Sequence, residues 1–303
     1  MKADVIIPVY KPDERLRVLL ERLRKQSVQP EKIILMNTEE KFFDPKCCEG
    51  ISGIEVHHIT KEEFDHGRTR HEGTAYSDAD VLVYMTQDAM PKDTHLLEEL
   101  LRPLEEGKAS ASYARQLPAP DCREVERYTR SFNYPEESRI KTAADIPELG
   151  IKTFFCSDVC AAYVRKDYDA MGGFIRKTIF NEDMIMAANL IKSGKAVAYA
   201  AEAKVVHSHN YTGLMQFRRN FDLAVSQVDH PEVFAGIRSE SEGIRLVKSS
   251  ALHFIKSGKP HLVVELVWKS GWKFLGYRVG KLYKKLPKTL IRICTMNPSY
   301  WGF

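Results

Sequence analysis

The chain predicts an α/β fold: a mostly parallel, doubly wound sheet flanked by helices, followed by a basic helical C-terminal extension. Three observations lead there. Short apolar runs alternate with stretches of helical period over residues 1–105. The residues with usable chemistry fall at the carboxyl ends of those runs, where open α/β sheets gather their ligands. From about residue 240 the strand pattern gives way to basic amphipathic segments punctuated by Gly258-Lys259-Pro260, Pro287 and Pro298.

Taken in order, residues 4–9 read as a buried strand. Residues 13–25 read as a helix with Leu16, Leu19, Leu20 and Leu23 on one face. Residues 32–36 and 54–59 are further strands, and 68–77 a short helix. The strand at 81–85 delivers Thr86-Gln87-Asp88 at its end, and 92–104 is a helix capped by Asp93 or Thr94. In the second half, 109–115 and 159–164 read as strands around an irregular or helical insert at 121–133. A helix at 182–192 ends at Gly194, two short strands follow at 196–200 and 204–207, and 211–228 is helical with Arg218-Arg219 on it.

Composition bounds the class. With 303 residues, 44% hydrophobic and 28% charged, the chain can bury a large core and is globular. The apolar run at the N-terminus is too short for a signal peptide and is broken by Asp4 and Pro8. No stretch approaches the length of a membrane-spanning helix. Six cysteines without metal or redox spacing read as reduced thiols, which suits the cytoplasm. The net charge of +4 is unevenly spread: residues 245–303 hold twelve Lys/Arg against one acid, Glu265. That local balance of about +11 leaves about −7 for the rest and points to a polyanionic neighbour.

Two acidic points carry most of the chemistry. Gln87-Asp88 ends an apolar strand. Asn181-Glu182-Asp183 follows Gly172-Gly173-Phe174 and opens a helix. With Val5-Ile6-Ile7-Pro8-Val9-Tyr10, Phe64-Asp65-His66-Gly67-Arg68-Thr69-Arg70, Thr86-Gln87-Asp88-Ala89 and Val206-His207-Ser208-His209, they form an ordered set over residues 4–225. In that set the chain resembles family 2 glycosyltransferases, which have the A-type nucleotide-sugar (GT-A) fold. Within them it is most similar to bacterial rhamnosyltransferases.

The resemblance implies an inverting transfer of a sugar from a nucleoside diphosphate, for that branch L-rhamnose from dTDP-β-L-rhamnose, with UDP- or GDP-linked sugars as the alternative. The acceptor is then a hydroxyl of a cell-surface polysaccharide or a lipid-linked glycan. By the same resemblance Pro8, Val9 and Tyr10 line the nucleoside pocket, and Asn37 stands where relatives place an Asp. Arg70 grips the diphosphate or base, and Gln87 and Asp88 form the reduced metal motif. Asp88 needs company to hold Mn²⁺ or Mg²⁺, and His207 or His209, two apart on a strand end, supply it. Asp183 is the general base. Glu182 is an acceptor-side residue, and Asp158 is either another or a plain turn carboxylate. A catalytic domain then spans 1–235, split into a nucleotide-binding half 1–105 and an acceptor-binding half 106–235, with the basic region at 236–303.

That basic region interleaves lysines with Trp268, Trp272, Phe274, Tyr277 and Tyr283. It reads as an anionic-membrane anchor, which would make the enzyme peripheral on the inner face of the cell membrane. It reads equally as a helical cap or as the interface of a homodimer. A sugar-nucleotide pyrophosphorylase would need a Gly-rich, Arg-containing loop after the first strand, where Tyr10-Lys11-Pro12-Asp13 stands. Nucleic acid is not an expected partner, because no basic cluster lies at the strand ends where the other motifs converge.

Overall fold

The computed structural model describes residues 1–236 and 240–302. Along the chain β1 (Ala3–Tyr10), α1 (Glu14–Arg24), β2 (Ile33–Thr38), β3 (Ile54–Ile59), α2 (His66–Gly73) and β4 (Val81–Met85) come first. Then follow β5 (Met90–Pro91), α3 (Leu96–Glu105), β6 (Ala111–Leu117), α4 (Glu124–Asn133), β7 (Arg139–Lys141), α5 (Ile146–Leu149) and β8 (Cys160–Val164). The remainder runs α6 (Arg165–Ala170), α7 (Glu182–Lys192), β9 (Val197–Val206), α8 (Gly213–Asp229), α9 (Pro231–Phe234), α10 (Glu240–Lys256), α11 (His261–Lys281) and α12 (Lys288–Cys294). Two compact units result. One comprises residues 1–117, 134–178 and 182–207, the other 118–133, 179–181 and 208–303.

The first unit carries the whole sheet, in the order β3-β2-β1-β4-β8-β6-β9-β5, with β7 also on β9. β1 to β4 pair in parallel, as the alternation of strands and helices predicts. β8 then runs antiparallel between β4 and β6, so the far half of the sheet is mixed rather than parallel. β9 is one strand where two were expected, paired parallel to β6 through a register shift between Ala114 and Arg115. Val5, Ile7 and Val9 of β1 pack against Leu16, Leu19, Leu20 and Leu23 of α1 and the leucines of α3. Each such fully buried side chain contributes about 1.5–3 kcal/mol. Pro8 is tolerated in this central strand because the β1–β4 ladder has ended by Ile6.

Local chemistry sets the helix starts. Asp65 caps α2 by accepting from Gly67 N (2.9 Å) and Arg68 N (3.1 Å), so the helix begins two residues before the expected 68. Neither Asp93 nor Thr94 caps α3. Its Leu97 N–H is met by Gln26 Oε1 from the end of α1. Gly67 permits a close approach: a Cβ there would lie 1.9 Å from Ile175 O. The loop at 174–178 therefore lies against the start of α2, where Thr178 N also donates to Asp65.

The second unit is helical. α8 and α11 cross through glycines: a Cβ on Gly276 or Gly280 would lie 2.1 Å from Phe217 O or 2.4 Å from Phe221 O. Phe221, Val225, Ile291 and Cys294 form one small core, and Val125, Phe254 and Leu266 another. This unit claims α4, α8 and α9, which the expected 1–235 division assigned to the catalytic domain. The cause is that α4 packs on α10 and α11, α8 on α11 and α12, and α9 on α8. Part of that expected boundary falls on residues 237–239, outside the described residues. All six cysteines are free, and no described helix is long and apolar enough to cross a membrane.

Candidate active site

The antiparallel pairing of β4 and β8 gathers the acidic points. Met85 pairs with Cys160, and Thr86 N donates to Val159 O (3.2 Å). Gln87-Asp88 and Asp158 therefore leave the sheet at the same edge. Asp183, in the first turn of α7, reaches that edge by accepting from Asp158 N (3.2 Å). Its other oxygen accepts from Met184 N at 2.7 Å. Asn181, just before it, has φ +68°, a left-handed conformation that asparagine tolerates better than most residues.

Around Asp183 lies a buried ionic network. Arg70 is 5% exposed, with Nη1 3.2 Å from Glu182 Oε1 and Nε 3.6 Å from Asp158 Oδ2. The same Nη1 donates to His66 O (2.9 Å). Tyr163 donates to Asp158 Oδ1 (2.8 Å). Burial, reinforced by the neighbouring Asp183, pushes the Asp158 carboxyl well above the usual carboxylate range. Asp183 is pushed up to about 7, first by burial and then by the charge of Glu182. Asp158 is 2% exposed, whereas Asp183 is only half-buried. Of the two carboxylates, Asp183 is the more accessible to solvent.

A second cluster centres on Asp88. His207 is 8% exposed and its Nδ1 is taken by Gln116 Oε1 (3.1 Å), which leaves Nε2 to face Asp88 Oδ2 at 3.5 Å. That separation is too long for a good hydrogen bond. A ring nitrogen and a carboxylate oxygen turned toward each other can share a cation placed between them. Imidazole plus carboxylate suits a divalent first-row ion, with Mn²⁺ a better match than Mg²⁺. The donors present thus fit the expected metal. His209 lies two residues further on, in the second unit, stacked on Tyr211.

Several expected donor contacts change character. Gln87 spends its amide on Tyr10, accepting from its N–H and donating to its C=O, both at 3.0 Å, so it fixes the end of β1. The Val9 side chain belongs to the hydrophobic core, and only its backbone reaches the strand end. Tyr10 is exposed and meets Phe42 edge-on, with the Lys11 ammonium over both rings. Asn37 is fully buried; its amide nitrogen pairs with His58, and its Oδ1 has no hydrogen-bond partner among the described residues. The α2 N–H groups offered to an anion are already capped by Asp65. Arg70 lies in the last turn of α2, tied to acids rather than open to a diphosphate. Asp158 is held inside the network and presents nothing to an acceptor.

Residues 4–172 match the sequence family described as Glycosyl transferase family 2. The chain belongs to that family. It is 36% identical to the O-antigen chain rhamnosyltransferase RfbN of Salmonella typhimurium, an alignment covering 100% of this chain and 96% of that one. It is also 36% identical to the O-antigen chain rhamnosyltransferase WbaN of Salmonella anatum, over 98% and 95% of the two chains. Among solved structures it resembles the mannosyltransferase PcManGT from Pyrobaculum calidifontis in complex with GDP-Man and Mn²⁺. There the TM-score is 0.61 at 12% identity, covering 93% of this chain and 86% of that one. TarS of S. aureus, residues 1–349, follows with a TM-score of 0.54 at 12% identity, over 94% and 91%. At that identity these neighbours establish the GT-A fold alone. This family 2 glycosyltransferase therefore carries its acidic clusters on the expected scaffold.

Sequence reasoning passed over Gln116, Ser157 and Tyr163. A tyrosine in the otherwise apolar Cys160–Val164 strand was a usable signal, since a buried hydroxyl needs a partner. Gln116 gave none, because Ala114-Arg115-Gln116 reads like a solvent-facing strand end.

Proposed function

We propose that the protein transfers L-rhamnose from dTDP-β-L-rhamnose to a hydroxyl of a polysaccharide or lipid-linked glycan, inverting the anomeric centre. The observation that carries this is the half-buried Asp183 carboxylate, held by two backbone N–H groups at the sheet edge that also bears Asp88. The two full-length relatives named as O-antigen chain rhamnosyltransferases support the choice of sugar. Asp183 accepts the proton of the attacking acceptor hydroxyl as it adds to the anomeric carbon. Glu182 and Asp158, bridged by Arg70, hold the start of α7 and the 158 loop so that Asp183 keeps its aim. Asp88 and His207 would hold a divalent ion, which when bound would neutralise charge on the departing diphosphate. The exposed Tyr10 ring covers the nucleobase. A single displacement turns the β-L donor into an α-L-rhamnoside.

A thermal-shift panel of dTDP-rhamnose, UDP-sugars and GDP-sugars, with Mn²⁺, Mg²⁺ or EDTA, tests donor and metal together. A ligand that binds only the folded state at ~100 times its Kd stabilises by about 2.7 kcal/mol. The largest rise is expected for dTDP-rhamnose with Mn²⁺, and EDTA should remove most of it. A larger rise with a UDP- or GDP-sugar would reassign the donor.

The same reading has the enzyme dock peripherally on an anionic membrane. Support comes from α11, where Val264, Val267, Trp268 and Leu275 are each at least 50% exposed along one stripe. They border an apolar groove of about 610 Å³. Exposed Arg278, Lys281, Lys284 and Lys285 follow it, and interfacial aromatics flanked by basic residues favour anionic headgroups. Cosedimentation is expected with phosphatidylglycerol vesicles, weakening with salt, and much less with phosphatidylcholine. Equal binding to both would exclude an electrostatic anchor. Binding to neither, with a dimer in sedimentation, would assign the stripe to a second copy of the chain.

A further inference from the structure

Gln116 belongs to β6, is 3% exposed and pairs with Val205 across the β6–β9 ladder. Just beyond that pair, His207 N donates to Leu117 O (2.9 Å), which fixes the backbone from which the imidazole projects. The Gln116 amide is itself clamped: Nε2 donates to Ser157 Oγ at 2.9 Å, so Oε1 is the end turned toward His207 Nδ1, 3.1 Å away. An amide held in that sense accepts a hydrogen bond from Nδ1–H and leaves Nε2 as the ring nitrogen facing Asp88. Ser157 also adjoins Asp158, whose N–H donates to Asp183. The short segment 157–158 thus contacts both the histidine side and the carboxylate side of the site.

We infer that Gln116 is a positioning residue for the divalent-cation site: clamped by Ser157, it locks His207 as the Nδ1–H tautomer with Nε2 aimed at Asp88. This rests on the reading of Asp88 and His207 as metal ligands. A partner that orients a ligating histidine typically matters by ~10–100-fold in metal affinity, whereas a glutamine that merely fills the core alters only stability.

Mn²⁺ titration of metal-free protein, followed by electron paramagnetic resonance, separates these roles without any turnover measurement. Gln116→Leu should raise the Mn²⁺ Kd by about 10–100-fold. Gln116→Glu, which still accepts from Nδ1, should keep most of the affinity, and Ser157→Ala should fall between. Nitrogen-15 spectra of the metal-free protein should show His207 protonated at Nδ1 and a mixture of tautomers in Gln116→Leu. If His207→Ala loses Mn²⁺ while Gln116→Leu binds like wild type, the positioning role is wrong. If His207→Ala also binds like wild type, the histidine is not a ligand and both readings fall. Should Gln116→Leu not fold, Ser157→Ala and the wild-type tautomer decide the matter alone.

Discussion

Replacing Asp183 with Asn should lower kcat by ~10²–10⁴-fold, the usual contribution of a positioned general base, while nucleotide-sugar binding persists. The check is steady-state transfer alongside a donor thermal shift. Near-normal turnover would remove the role. The pH profile gives a second, independent reading. Asp183 works only when ionised and is pushed up to about 7 by burial and Glu182. Wild-type kcat/KM should therefore rise about tenfold per pH unit below that value and level off above it, and the residual rate of Asp183→Asn should lack this limb. Stability should move the opposite way. The folded protein holds this proton more tightly than the unfolded chain, in which an Asp titrates near ~4. Stability contributed by the neutral form is thus present below ~4 and lost as pH climbs to about 7. Asp183→Asn, which never charges, should melt above wild type at pH 8, and the gap should close at pH 4.

The second large effect concerns Arg70. Its guanidinium is the cation shared by Glu182 and Asp158, and all three side chains are under 10% exposed. Arg70→Met should cost about 3–5 kcal/mol, because removing one member of a buried ion cluster strands the others without compensation. Arg70→Lys should recover only part, since a point charge cannot reach both carboxylates with one planar fork. Denaturant unfolding measures the loss. The diphosphate-gripping role expected of Arg70 would instead leave stability intact and abolish donor binding.

That contrast shows what was legible in the sequence. The strands at β1 to β4 and the helices between them declare themselves through local periodicity, and so do the carboxylates at the ends of β4 and at the start of α7. The ion cluster around Arg70 was not legible, because its partners Asp158 and Glu182 are remote in sequence and converge only in the fold. The contacts of Gln87 were hidden for a related reason. Nothing local shows that its amide matches the Tyr10 peptide group. The start of α7 could be read because its signal is local: an asparagine able to take a left-handed turn, then two acids opening a helix. Pairing direction in β6, β8 and β9 depends on contacts across the whole sheet, and short apolar runs do not encode it.

The glycine crossing of α11 on α8 has an evolutionary consequence. Gly276 and Gly280 let one side of α11 sit on the α8 backbone, with Trp272 and Tyr277 on that side meeting Phe217 and Gln227, so fixing the helix asks little of its outward residues. Val264, Val267 and Trp268 are then free to drift under selection for whatever surface they meet. That stripe can therefore change in sequence with the helix pair unaltered.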